Sequence, residues 1–484
     1  MTAPTTAGLV KLTIDGVPVE VPKGTSVLEA AKLAGVLVPH YCYHPGIPSA
    51  PAVCRMCLVE IEKFPKLAPS CATPVGEGMV VKTQSGEAKK ARQGVLEFLL
   101  INHPLDCPIC DQAGECELQD FTFQEGRAQG RYGDYAKRFN PVENFGPDVL
   151  YVPNRCILCT RCTRFMDEVA QQPVIAVAER GDRAFIGIVD DQLLDHAWAG
   201  NVVDLCPVGS LISKDFLHKA RAWDLDKTPS ICPGCTQGCN MTIETRENQV
   251  IRLRPRPNEQ INRYFMCDYG RLNYPWMNRS DRIEVPLVRD GDRLMPVDWD
   301  AALERAAQLV RGAQGPSVGL VSAGASNEAL AAAMKLLQSK GGTGAFRVAE
   351  GEEAPLPGVP DLALRKERAA NVYGALEAGF TRDWRAAVGA AKAAGLVLAL
   401  DETLEGVDAT GPLLYVGTVL SPAARRSAVV VLPTANMTEE EGTFRNLRGV
   451  EQRYWQARTA PGMARPAAWI LAELLELAGA GVRA

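Results

Sequence analysis

The chain has 484 residues, room for about three domains of ~150 residues each, and its 46% hydrophobic and 23% charged content is that of ordinary globular protein. A formal net charge of -5 argues against a nucleic-acid surface, which needs a basic stripe. No apolar run reaches the ~20 residues that cross a bilayer, since the longest candidate, Trp384 to Leu400, is broken by Arg385 and Lys392. Met1 to Val10 has neither a basic start nor an apolar core, so no export signal is expected. The expected compartment is the cytoplasm, with docking onto a membrane complex left open.

In chain order, the first element is a small β-grasp opening. Lys11 to Ile14 and Val17 to Val21 are strand-like runs on either side of Asp15-Gly16, a hairpin signal. Ser26 to Glu29 has the form of a capping box, and Leu28, Ala31 and Leu33 to Val36 continue an apolar helical face. Cys42, Cys54, Cys57 and Cys71 follow with spacing C-x11-C-x2-C-x13-C, and the first interval is rich in Pro, Gly and Ser. That suits a loop around a flat two-iron cluster and resembles a plant-type [2Fe-2S] ferredoxin with its first interval lengthened, with a zinc ribbon as the competing reading.

A helix is expected from Ser85 to Ile101, with Val95, Leu96, Phe98, Leu99 and Leu100 as a broad apolar face and His103-Pro104 as its stop. Next comes His103-x3-Cys107-x2-Cys110-x5-Cys116. A lone histidine there is ordinarily structural, but three cysteines at ligand spacing need a fourth donor, which selects His103. Residues 120 to 153 show no periodicity and read as a covering loop region. The run Cys156-x2-Cys159-x2-Cys162 is the spacing of a cubane iron–sulfur cluster, whose remaining thiolate comes from a cysteine before proline. Met166 occupies the compact-ferredoxin position, so Cys206-Pro207 is expected to close the site. Arg155, Arg161 and Arg164 either offset cluster charge or are simply solvated. His40, His44, His196 and His218 read as structural.

A fourth group, Cys232-x2-Cys235-x3-Cys239-x27-Cys267, encloses two strand-like runs, Met241 to Thr245 and Gln249 to Leu253, joined by Glu247-Asn248. A hairpin there returns Cys267 to the first three, and a closed zinc site competes with iron. All 15 cysteines lie between Cys42 and Cys267. With His103 they make four quartets with nothing left over, a pattern that suits metal better than disulfides in a reducing compartment.

With the four groups placed, the N-terminal two thirds resemble the G-type, large iron–sulfur subunit of bacterial NADH:quinone oxidoreductase (complex I). The resemblance rests on His40-Tyr41-Cys42, Cys54-Arg55-Met56-Cys57, the stretch from His103 to Cys110, the stretch from Cys156 to Cys162, and the stretch from Asp204 to Gly209. It implies a [2Fe-2S] cluster on Cys42, Cys54, Cys57 and Cys71. It implies [4Fe-4S] clusters on His103, Cys107, Cys110 and Cys116, and on Cys156, Cys159, Cys162 and Cys206. A further [4Fe-4S] centre, off the main electron route, is implied on Cys232, Cys235, Cys239 and Cys267.

Beyond about residue 285 the chain is similar to the molybdopterin-oxidoreductase fold. Val318 to Ser322 with a helix from Asn327 to Lys340, and the buried strands Leu396 to Leu400 and Val429 to Leu432, read as an α/β sheet. Gly319 and Gly324 read as turn residues, and Glu441 to Asn446 resembles the segment that covers the cofactor in such proteins. No cysteine follows Cys267, so a shortened, vestigial domain without molybdenum cofactor is expected.

The expected fold class is thus an α+β N-terminal part, a β-grasp [2Fe-2S] ferredoxin domain plus ferredoxin-like cluster-binding domains, followed by a shortened α/β molybdopterin-oxidoreductase-like domain. The expected boundaries are 1–84, 85–124, 125–222, 223–285 and 286–484. The resemblance implies an electron-transfer subunit with no complete active site of its own. It would sit as a peripheral subunit on the cytoplasmic side of the plasma membrane, between an NADH-oxidising flavoprotein subunit and other peripheral-arm subunits. No G-x-G-x-x-G opens a βαβ unit, so NADH is expected to bind elsewhere. The alternatives are a formate dehydrogenase, an iron-only hydrogenase or a zinc-stabilised scaffold. The first needs a molybdenum ligand after Cys267, and the second needs additional cysteines.

Overall fold

The computed structural model describes residues 8–133, 137, 139–407 and 411–479. The chain forms two compact units, one of Met1–Asp224 with Leu356–Pro360 and the other of Leu225–Pro355 with Asp361–Ala484. Among the described residues no helix is long and apolar enough to cross a membrane.

The first unit opens with β1 (Leu9–Ile14) and β2 (Val17–Pro22), paired antiparallel. Asp15 and Gly16 both have positive φ, 47° and 87°, as expected of a two-residue hairpin whose twist matches its strands. Ser26 caps α1 (Val27–Leu33), its hydroxyl accepting from the Glu29 amide at 3.2 Å. The expected apolar face past Leu33 is absent. Gly35, at φ 74°, ends the helix there and Leu33 is left exposed. Strands β3 (Leu58–Ile61), β4 (Ala68–Pro69) and β5 (Met79–Lys82) complete a five-stranded sheet in the order β2-β1-β5-β3-β4. Leu12, Ile14, Val59, Ile61 and Val81 pack under the buried face of α1.

Helix α2 (Gly86–Asn102) starts at Ser85 and stops at His103, as the sequence predicts. Its buried stripe, however, is Ala88, Arg92 and Leu96 at four-residue spacing, and Phe98 is exposed. Arg92 ends in a salt bridge to Glu125 at 2.7 Å and a hydrogen bond to the Thr83 carbonyl. Glu125 belongs to α3 (Glu117–Glu125), a helix that runs into the stretch read as loop from residue 120. It is only 9 residues long and buries just Leu118 and Phe121, too little for a visible period. Downstream, the strand Val149–Tyr151 pairs with Glu143–Asn144 and with Leu211–Ser213, drawing the segment around Cys206 back beside that around Cys156.

In the second unit, Asp226–Ile231, Asn240–Arg246 and Gln249–Pro255 form an antiparallel sheet. Its hairpin turns at Glu247 and Asn248, with φ of 51° and 60°. A seven-stranded sheet follows. Five parallel strands run in the order Thr343–Arg347, Ser317–Ser322, Leu396–Leu400, Leu413–Gly417 and Ala428–Pro433, continued antiparallel by Leu287–Asp290 and Arg293–Pro296. Leu396, Leu398 and Leu400 face one core while Val397 and Ala399 face the other. This period-2 division is what a sheet covered on both faces requires. Gly319 lies within a strand rather than in a turn. A Cβ there would meet Leu337 at 2.4 Å, so the glycine lets the helix Asn327–Gln338 pack closely.

The chain leaves Ser317–Ser322 for one neighbour and later returns on the other side as Leu396–Leu400. Such a reversal opens a crevice beyond the carboxyl ends of the strands. A cavity of about 260 Å³ lies there, lined in part by Ser322, Ser326, Arg368, Asp401, Asn436 and Glu440. Burial holds the Glu440 carboxyl up at about 8, although the Tyr454 hydroxyl donates to it at 3.1 Å. Its unfolded counterpart ionises near 4.5. Between those values the folded state binds the extra proton, so this group makes stability fall as pH rises, by at most about 1.4 kcal/mol per unit. Glu440→Gln, which keeps an oxygen for Tyr454, is expected to flatten that decline. The Tm of the variant relative to the parent should be higher at pH 8 than at pH 5.5, and equal offsets at both pH values would refute the assignment.

Candidate metal centres

The first donor group sits at one end of the β-grasp. Cys57 directly precedes β3 and Cys71 follows β4, and the Ser70 amide donates to the Cys57 carbonyl at 3.0 Å. Ala52 and Arg55 adopt φ of 55° and 58°, curling the chain around Cys54. The thiols of Cys54 and Cys71 hydrogen-bond to Cys42, and Cys71 also to Cys57. These contacts hold Cys42 and Cys57 low and push Cys54 and Cys71 up. All four predicted donors are therefore brought together.

The second group is built on helix ends. His103 caps α2 and Cys116 immediately precedes α3. His103 Nδ1 is buried with no hydrogen-bond partner among the described residues. Burial, assisted by the Lys137 cation, holds the imidazole down at about 4, so it is neutral at pH 7. A neutral imidazole with a buried ring nitrogen left unpartnered by protein suits a metal ligand. Cys110 is buried, Cys116 half-buried and Cys107 exposed. Gly209 lies so close to Cys110 that an added Cβ would stand 2.1 Å from its Sγ.

The third group curls through Leu158 and Thr160, with φ of 52° and 62°. Cys156, Cys159, Cys162 and Cys206 line one small cavity, walled by Tyr151, Ile157, Ile186, Val208 and Leu211. Burial drives Cys159 up to about 12 and Cys206 to about 11. The Leu158 amide donates to Cys156 Sγ at 3.4 Å. In the second unit, Cys232, Cys235, Cys239 and Cys267 are all buried, and the hairpin brings Cys267 back as expected. The Cys232 amide donates to the Cys239 carbonyl at 2.8 Å, and the amides of Gly234 and Gly270 donate to Cys232 and Cys267 sulfurs at 3.4 Å. Burial pushes these thiols up as well.

Among the described residues no three or more His, Cys, Asp or Glu side chains form a site for a single metal ion. The donors suit iron–sulfur clusters in kind: the third group's thiols line one cavity, amides point at sulfur in the third and fourth groups, and the second adds an orphan imidazole nitrogen.

From the sequence alone, charge offset and solvation are both open for Arg155, Arg161 and Arg164. Arg155 and Arg161 are not solvated; they are 7% and 4% exposed. Arg155 pairs with Asp106 at 2.9 Å and Arg161 with Glu117 at 2.8 Å, while Arg164 reaches the Cys42 carbonyl. The signal available was an acid beside a ligand in each case, Asp106 before Cys107 and Glu117 after Cys116. Of the remaining histidines, His40 lies by the Val38 carbonyl, His44 accepts from the Gly46 amide, His196 from Trp198, and His218 contacts Asp111.

Residues 7–86 match the 2Fe-2S iron-sulfur cluster binding domain family. Residues 92–131 match the NADH-ubiquinone oxidoreductase-G iron-sulfur binding region, and residues 146–212 the ferredoxin-like domain of NADH-quinone oxidoreductase subunit 3. Residues 225–279 match the molybdopterin oxidoreductase Fe4S4 domain and residues 415–477 the molybdopterin oxidoreductase family. The G-type NADH-quinone oxidoreductase subunit of Rickettsia bellii is 44% identical over 303 residues, 63% of this chain and 44% of that protein. The mitochondrial NADH-ubiquinone oxidoreductase 78 kDa subunit of Neurospora crassa is 46% identical over 299 residues, 62% of this chain and 40% of that protein. The chain thus spans less than half the length of these relatives. Among solved structures, an NAD+-reducing [NiFe]-hydrogenase in the H2-reduced state matches at 29% identity and a TM-score of 0.40, covering 44% of this chain and 90% of that one.

Gly209→Ala is expected to displace Cys110 and remove about four irons per chain, the content of one cubane. Iron assay after anaerobic purification reads this directly; an unchanged iron content would refute the tight packing of Gly209 on the Cys110 sulfur.

Proposed function

The chain belongs to the G-type iron–sulfur family of NADH-quinone oxidoreductase subunits over roughly two thirds of its length, and on that basis we propose that it relays electrons from an NADH-oxidising flavoprotein subunit towards a quinone-reducing module. The observation that carries the reading is that three donor quartets share one compact unit with interlocking loops. The Glu117 amide, beside Cys116, donates to the Pro207 carbonyl, beside Cys206, at 3.0 Å, and Gly209 backs onto Cys110. Centres that exchange electrons must lie close together, and loops in contact support that.

The reading assigns one [2Fe-2S] cluster to Cys42, Cys54, Cys57 and Cys71. It assigns [4Fe-4S] clusters to His103 with Cys107, Cys110 and Cys116, to Cys156, Cys159, Cys162 and Cys206, and to Cys232, Cys235, Cys239 and Cys267. When bound, these supply reversible one-electron chemistry; no residue has to act as acid, base or nucleophile. The chain's own part is to hold donors in place, exclude water and aim amides at sulfur, which sets potentials. His103 contributes a neutral donor where a thiolate would add negative charge. No molybdenum cofactor is proposed for the second unit, because no cysteine follows Cys267. The proposed partners are the flavoprotein and other peripheral-arm subunits, and the proposed location is the cytoplasmic side of the plasma membrane, reached through that complex.

Anaerobically purified protein is expected to be brown, with about 14 irons and matching acid-labile sulfide per chain. Cys232→Ser should remove about four of those irons and one paramagnetic signal of the dithionite-reduced protein. A colourless preparation with about four zinc ions per chain would replace the relay with a zinc scaffold.

A further inference from the structure

Arg161 lies between Cys159 and Cys162, yet its side chain serves all three donor groups of the first unit. Its Nε donates to the Tyr43 carbonyl at 3.2 Å, one residue from Cys42. Both terminal nitrogens hold the Glu117 carboxylate, at 2.8 and 3.1 Å, one residue from Cys116. Nη1 also donates to the Leu205 carbonyl at 3.3 Å, one residue from Cys206. Four of the five guanidinium N–H donors are thus committed, and every partner adjoins a ligand.

We propose that Arg161 is a positioning residue that ties the three ligand loops together and, as one shared buried charge, raises the reduction potentials of all three centres together. The inference rests on the electron-relay reading. Its logic is electrostatic. Reduction adds negative charge to a cluster, so a fixed cation nearby favours the reduced form, and burial weakens the solvent screening that would mute it. The charge is permanent, because arginine does not deprotonate in proteins. A cation shared by three loops moves the centres in one direction, so their absolute potentials can change while the steps between them are largely kept. Glu117 opposes the effect with one negative charge, and its side chain is 38% exposed against 5% for Arg161, so its field is more fully screened. Arg155 and Arg164 add separate ties. The first joins the segments around Cys156 and Cys107 through Asp106, and the second joins the third group to the first through the Cys42 and Ser49 carbonyls. Neither bonds next to a ligand of all three groups.

The test is a redox titration of the anaerobically purified full chain, followed by paramagnetic resonance, with signals assigned through Cys54→Ser, Cys110→Ser and Cys159→Ser. Arg161→Met should shift the reduction equilibria of all three centres about tenfold towards the oxidised form, about 59 mV for one electron. Arg161→Lys keeps the charge and loses the fork, and should restore most of that shift. Glu117→Gln, which removes the opposing charge, should move all three the other way. A shift confined to the Cys156 signal, or an Arg161→Lys variant displaced as far as Arg161→Met, overturns the inference. If Arg161→Met loses iron, Glu117→Gln decides: no upward shift, or loss of iron there too, also overturns it. A parent protein without reducible clusters would instead refute the relay reading itself.

Discussion

A cysteine binds metal as the thiolate, and burial opposes formation of that anion. The third and fourth donor groups carry this conflict furthest. Desolvation pushes up Cys159, Cys162 and Cys206 in one, and Cys232, Cys239 and Cys267 in the other. Surrounded by protein alone, these sulfurs keep their protons. In the proposed reading a cationic iron–sulfur core takes the place of those protons and offsets part of the charge of the four thiolates, so loading and folding would be thermodynamically linked. The surrounding loops are shaped to that end. Leu158 and Thr160 accept left-handed backbone without being glycine, at a cost of order 1 kcal/mol each. In return the chain wraps a compact centre and turns an amide towards Cys156.

The same constraint explains why arginine recurs around the donors. A buried guanidinium needs a carboxylate and carbonyls to be tolerable, and the ligand loops, irregular by necessity, have carbonyls to offer. Arg155 and Arg161 take them and bind neighbouring loops to one another through Asp106 and Glu117. These regions therefore owe much of their cohesion to polar contacts, whereas the β-grasp sheet and the seven-stranded sheet rest on conventional apolar cores.

What was legible in the sequence follows from how local each signal is. Cysteine spacing encodes ligand geometry within a few residues, and the Asp15-Gly16 and Glu247-Asn248 turns announce their hairpins directly. Ser85 and His103 bound α2 as read. The errors fall where tertiary context decides. Val95 to Leu100 read as a core face, yet the helix buries Arg92 instead, because Glu125 of a helix too short to show a period waits for it. Leu33 belonged to an expected face that Gly35 cuts off. Gly319 looked like a turn residue because the helix pressing on its strand is invisible in one dimension. Solvation stayed open for Arg161 because its partners lie 118, 44 and 44 residues away.

The placement of Cys206 gives one short stretch of chain two duties. In the proposed assignment the first quartet is complete in sequence at residue 71 and the second at residue 116, whereas the third takes its fourth ligand from position 206. Gly209, which backs onto Cys110, comes later still. In that assignment the stretch from Cys206 to Gly209 both supplies the last donor of the third group and walls Cys110 of the second, so one local change there reaches two centres at once.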